Sequence, residues 1–164
     1  MTLAWAMSND FRIVVAIDLK AGTDRLLGEA KRYGLALNAV VNIIHVAAPE
    51  PDFVGYMKSG EPGEASQDNQ IRETEAHVLR AEHARTQAFG ASLRANGVRV
   101  DRALTLQGPI LETILDETRK LGADLLILGS HHHSAMHRLW FGDIAVDAAK
   151  EPPCALLVIP VSEW

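Results

Sequence analysis

The pattern of apolar and polar positions falls into nine segments. Ile13 to Ile17, Val40 to Val46, Leu125 to Leu128 and Ala155 to Ile159 are nearly continuous apolar runs. Runs of that length suit strands of a parallel sheet covered by helices on both faces. Val98 to Leu106 alternates instead, setting Arg99, Asp101 and Thr105 opposite Val98, Val100 and Leu104, which suits an edge strand. Between these runs the apolar period is helical. Leu26, Ala30, Tyr33 and Leu37 recur at that spacing. Ile110, Leu111, Ile114, Leu115, Thr118 and Leu121 form a largely apolar stripe behind Pro109, which suits a first helical turn. Gln70 to Ala95 is the longest helical stretch, with Ile71, Val78, Ala81 and Phe89 on its expected buried side.

Three times a helical stretch ends in basic residues, then glycine, then an apolar strand: at Lys31 to Gly34, Arg94 to Gly97 and Arg119 to Gly122. Cations complement the negative end of the helix dipole, and glycine takes the left-handed cap. The resulting order, β-α-β-α-β-α-β-α-β, predicts an α/β fold with a doubly wound parallel sheet.

Composition narrows this only a little. The chain has 164 residues, length for one domain spanning 1–164 with a core at about 11–160. Sixteen basic and 21 acidic residues give a formal charge of −5. That balance, with no run of Lys and Arg, argues against nucleic acid or anionic membranes as partners. No apolar run reaches the roughly 18 to 20 residues of a membrane-spanning helix. Met1 to Met7 lacks the basic start of a signal peptide, and Met7 is a candidate natural start. Cys154 is the single cysteine and reads as a structural thiol, consistent with a reducing, cytoplasmic compartment. Pro49 to Asn69, rich in Pro and Gly, reads as an irregular excursion, either a lid or a solvated loop.

Open parallel sheets bind ligands beyond the carboxyl ends of their strands, where the strand order reverses. Asp18 follows the run ending at Ile17, and Gly129 follows the run ending at Leu128. If those strands are neighbours, the two residues flank one crevice.

Here a resemblance becomes specific. Ala123-Asp124-Leu125-Leu126-Ile127-Leu128-Gly129-Ser130, the later Gly142, and Pro153-Cys154-Ala155-Leu156-Leu157-Val158-Ile159-Pro160 resemble the universal stress protein family. Val14 to Asp18 and Ile44-His45-Val46 extend the likeness, which covers roughly Arg12 to Pro160. It implies a five-stranded parallel sheet in a Rossmann-like sandwich of the adenine nucleotide alpha hydrolase type, usually in a homodimer.

Many members of that family bind ATP through Gly, two residues, Gly, nine residues, Gly, then Ser or Thr. Glycines let the backbone approach phosphates, and helix N-termini supply N–H donors. The spacing here places Gly129, His132 and Gly142 at the glycine positions and Asp143 at the hydroxyl position. His132 adds a side chain to the phosphate loop. Asp143 brings a like charge, which at 4 Å from a phosphate costs about 1 kcal/mol in water and more in a crevice. By resemblance, Asp18 contacts the nucleoside end, Val46 meets the adenine, Gly129 and Ser130 line the phosphate loop, and Gly142 and Ile144 stand at its far end. The ligand implied is ATP or AMP. Other members lack the glycine motif and do not bind ATP, and the altered stretch is similar to theirs. Asp18 also reads as a cap on the helix that begins near Ala21 to Thr23.

The expected function is therefore a stress-response regulatory and binding module with a degenerate glycine motif. The alternatives are a non-nucleotide-binding dimeric interaction protein and a weak ATP-hydrolysing enzyme, with Asp18 on a metal and a loop histidine as base. No Ser-His-Asp order, Gly-Lys-Ser phosphate loop or paired carboxylates stand out, so no catalytic or metal residue is assigned. His131, His132, His133 and His137 read as an exposed loop, as an adventitious metal binder, or as cations offsetting Asp143. Trp140 and Phe141 anchor that loop or stack on a ligand. His77 and His83 read as solvated. The last strand, Ala155, Leu156, Leu157, Val158 and Ile159, is an uncharged edge suited to pair with a second copy, unless the tail Val161 to Trp164 covers it.

Overall fold

The computed structural model describes residues 10–47, 64–130 and 144–161. Their elements run β1 (Arg12–Ile17), α1 (Thr23–Ala36), β2 (Val40–Ala47), α2 (Glu64–Ala95), β3 (Arg99–Gln107), α3 (Ile110–Lys120), β4 (Leu125–Ser130), α4 (Ile144–Ala148) and β5 (Ala155–Pro160). All pairings are parallel and the sheet order is β3-β2-β1-β4-β5. This is the doubly wound α/β architecture that the apolar pattern predicts, in the Rossmann-like form that the resemblance implies.

The continuous apolar runs are buried on both faces, as parallel strands require. On one face Ile13, Val15, Val41, Ile43 and Ile127 pack under Leu26, Leu27 and Ala30 of α1 and Leu93 of α2. On the other, Val14, Ile44, Val46, Leu126 and Leu128 pack under Ile114 of α3 and Ala145 and Ala148 of α4. Asp124 ties the lower rim together. Its Oδ2 accepts the Arg12 N–H at 2.8 Å, and its own N–H donates to the Arg12 carbonyl at 2.8 Å.

Several local expectations shift. Gly97 and Gly122 do take left-handed caps, at φ 85° and 60°, but Gly34 does not. Gly34 lies inside α1, where an added Cβ would stand 2.9 Å from the Val41 side chain and 3.2 Å from that of Val98. Its glycine serves close packing, and Asn38, at φ 46°, makes the left-handed turn. The α2 helix begins at Glu64, so residues 64–69 of the expected excursion are helical; residues 48–63 lie outside the described residues.

The buried side of α2 also moves. Val78 is 50% exposed and Ala81 is exposed, whereas Thr86, Phe89, Gly90 and Leu93 face the sheet. His77 and His83 are exposed. In β3 the pairing with β2 shifts register between Val41/Ile43, where Val100 and Ala103 are their successive partners. Such a bulge reverses the alternation. Val100 and Ala103 therefore pack with the α1–α2 cluster, while Leu104 joins the opposite cluster and not the face of Val98.

Cys154 is partly buried and packs against the α3–α4 cluster. Burial, then the nearby Asp124 carboxylate, pushes its thiol pKa up, which keeps it protonated and unreactive. At the opposite sheet edge Arg99 grips Asp10 with two hydrogen bonds of 3.0 Å, and this pairing lowers the Asp10 pKa.

Candidate functional site

The strand order reverses between β1 and β4, which pair from Ile13 with Leu125 to Val15 with Ile127. Asp18 stands at the carboxyl end of β1, and Gly129 and Ser130 close β4, so Asp18 and Gly129 stand at the ends of neighbouring strands.

Asp18 is half-buried at the start of a tight turn. Its Oδ1 accepts the Lys20 N–H at 3.0 Å and faces the Thr23 hydroxyl at 3.5 Å. This is an Asx turn leading into α1. The residue at the α1 cap itself is Gly22, left-handed at φ 95°. Leu19, between the two, is left-handed at φ 60°, a strained conformation for a branched apolar residue. Its side chain is buried and pulls the turn onto the core.

The turn is held from the side by α2. Arg85 Nη2 donates to the Leu19 carbonyl at 2.9 Å. His45, buried in β2, points to the same face. Its Nδ1 lies 3.0 Å from the Ile17 carbonyl and so donates to it. Its Nε2 stands 3.3 Å from Glu82 Oε2, an ion-pair distance without hydrogen-bond alignment. Sequence reasoning missed these three side chains. The available signal was a histidine inside a largely apolar strand, and the helix residue that faces it, Glu82, lies far along the chain.

Gly129 has a packing role. A Cβ there would lie 3.1 Å from Val161 Cγ2 and 3.3 Å from Leu26 Cδ1. Val161 is buried, and its N–H donates to the Ser130 carbonyl at 3.0 Å. Val161 thus turns inward between β4 and α1 rather than over the outer edge of β5. Val46 is buried on the opposite face, in the cluster that Ile144 joins as the first residue of α4. The structure therefore brings Asp18, Gly129 and Ser130 to the ends of two neighbouring strands, with Val46 and Ile144 sharing the α3–α4 side. His132, Gly142 and Asp143 lie outside the described residues, as do His131, His133, His137, Trp140 and Phe141. Among the described residues no three His, Cys, Asp or Glu side chains cluster as metal ligands, and no helix is long and apolar enough to cross a membrane.

The fold and these strand ends can be set beside known proteins. A sequence model of the universal stress protein family matches residues 11–160. The chain is 29% identical over 147 residues to the universal stress protein in the QAH/OAS sulfhydrylase 3′ region of Thermus aquaticus, covering 90% of this chain and 96% of that one. It superposes with a TM-score of 0.65 on a universal stress protein solved in complex with cAMP, at 17% identity over 93% of this chain and 98% of the other. The universal stress protein of Archaeoglobus fulgidus in complex with dAMP gives 0.54, at 18% identity over 91% and 97%. A match running from the strand that carries Asp18 to the end of the edge strand β5 means that the chain belongs to the universal stress protein family.

Proposed function

We propose that this chain is a single-domain, cytoplasmic stress-response regulatory module that binds an adenine nucleotide, ATP or AMP, at the β1–β4 crevice. The observation that carries the reading is the Asp18 turn. A carboxylate fixed at the carboxyl end of β1, at the reversal of strand order, is placed to accept hydrogen bonds from a ribose. Relatives of the same fold in complex with cAMP and dAMP support this ligand class. Asp18 serves the nucleoside end, Val46 borders the adenine, Gly129 and Ser130 carry the backbone toward the phosphates, and His132, Gly142, Asp143 and Ile144 complete the phosphate end. Thermal unfolding with and without Mg-ATP, ADP and AMP tests the reading. A ligand at a hundred times its Kd stabilises the native state by about 2.7 kcal/mol, which for a chain of this size raises Tm by roughly 5–10 °C. No shift at saturating nucleotide removes the proposal. The role is binding rather than catalysis; phosphate release abolished by Asp18→Ala and His132→Ala would reassign it as a weak ATPase.

A second reading, interaction through a homodimer, is favoured by β5. It lies at the sheet edge, with Val158 40% exposed and no charged side chain from Ala155 to Ile159. An uncharged parallel edge offers free backbone groups to a second copy. Light scattering at micromolar concentration is expected to give twice the 17.9 kDa chain mass. Val158→Asp is expected to return it to monomer; a monomeric wild type refutes the dimer.

A further inference from the structure

We infer that one turn of α2 positions Asp18: Arg85 grips the backbone on one side of it, and Glu82 faces the His45 imidazole that grips the backbone on the other. This rests on the reading of Asp18 as the nucleoside contact. Asp18 is one residue from each gripped carbonyl. On its N-terminal side the Ile17 carbonyl accepts from His45 Nδ1 at 3.0 Å, and the far side of that imidazole faces Glu82 at 3.3 Å. On its C-terminal side the Leu19 carbonyl accepts from Arg85 at 2.9 Å.

Glu82 and Arg85 are three residues apart and share one face of the helix. Thr86 completes that face and anchors the turn. Its fully buried hydroxyl donates to the Glu82 carbonyl at 2.9 Å and accepts from Thr105 of β3 at 3.3 Å. Gln87 adds a 2.6 Å bond to the Ala103 carbonyl. The helix turn is thus fixed to the edge strand β3 while its charged groups reach across β2 to the end of β1.

A grip of this kind has a use because Leu19 is strained. A left-handed non-glycine residue persists only where its surroundings over-determine it. The buried Leu19 side chain supplies one constraint and Arg85 supplies the other. With the guanidinium gone, the turn relaxes toward an ordinary backbone conformation. The Lys20 N–H then parts from Asp18 Oδ1, and the carboxylate loses its fixed direction.

The test uses Arg85→Ala, Arg85→Lys and Glu82→Gln in the full chain. Its primary readout is hydrogen exchange of the Lys20 amide in nucleotide-free protein, with the Val41 amide as the core reference. In Arg85→Ala the Lys20 amide is expected to exchange roughly tenfold faster while Val41 is unchanged, and Arg85→Lys to restore much of the protection. Mg-ATP affinity should fall in parallel by roughly fivefold or more. Glu82→Gln should show the same pattern more weakly, and it decides the matter if Arg85→Ala fails to fold. Unchanged Lys20 exchange in a folded Arg85→Ala or Glu82→Gln protein overturns the inference. Faster Lys20 exchange in a protein that binds no nucleotide even as wild type upholds the grip and removes only the ligand assigned to Asp18.

Discussion

Gly22→Ala is expected to cost about 2–5 kcal/mol of stability, the sum of two independent penalties. The first is conformational. Gly22 caps α1 at φ 95°, ψ −15°, and an L-residue held left-handed loses about 1–2 kcal/mol. The second is steric. A Cβ at this position would meet Val161 Cβ at 2.7 Å and Val161 Cγ1 and carbonyl oxygen at 3.3 Å. Val161 cannot withdraw easily, because it is buried and its N–H is bonded to the Ser130 carbonyl. Overpacking of this sort adds about 1–3 kcal/mol. Denaturant unfolding measures the loss, and Gly28→Ala is the matched control. Gly28 is an exposed α1 residue whose added Cβ meets nothing within 4 Å, so alanine there should gain about 0.5–1 kcal/mol. A Gly22→Ala loss of only about 1–2 kcal/mol would mean that Val161 moves aside and the backbone penalty alone remains, and a loss below about 0.5 kcal/mol would refute both. The position matters functionally because Val161 and Gly22 pack beside the Asp18 turn.

Asn42→Leu is expected to raise stability by about 1–3 kcal/mol, an unusual sign for a core substitution. Asn42 is fully buried in β2, and neither amide atom has a hydrogen-bond partner among the described residues. Its neighbours on that face are Val14, Ile44 and the α3 side of the core. Burying an unsatisfied amide carries its full desolvation cost, whereas an apolar side chain of the same branching carries none. The counterforce is slight crowding, since the methyl groups of leucine exceed the amide in size. Thermal and urea unfolding of the variant decide it. A loss of stability would overturn the expectation, the crowding by the leucine methyls then outweighing the desolvation of the amide.

Much of the architecture was readable before any coordinates. Four apolar runs too continuous for one-sided strands, separated by helical periods, leave little but a parallel sheet with helices on both faces. Gly97 and Gly122 after basic helix ends marked two caps correctly, since the left-handed cap is a local demand on one residue. The likeness over Arg12 to Pro160 added the five-stranded parallel sheet. Asp18 and Gly129 were placed at strand ends from the positions where two runs stop, and the β1–β4 pairing makes those ends neighbours.

Other features depend on what meets what in space. Gly34 has the same sequence context as Gly97, yet its missing side chain makes room for Val41 and Val98. Gly129 reads as a phosphate-loop glycine, and tertiary packing gives it Val161 and Leu26 as neighbours. In β3 an alternating pattern held until the register shift reversed it, and only pairing with β2 shows where. The α2 helix, with charged and polar residues around much of its surface, gave periodicity little to act on. Its inward side is chosen by Thr86, Phe89 and Leu93, and by ion and hydrogen bonds to residues far away in the chain.

The sequence by itself determined the element order, the burial of the sheet and the two strand ends at Asp18 and Gly129. These follow from local periodicity and from where apolar runs begin and end. Only the tertiary structure decided how Asp18 is held. The side chains that grip its turn sit on β2 and α2, 28 and 66 residues from the carbonyls they bind. Such pairings arise from strand register and helix docking, which no local pattern encodes.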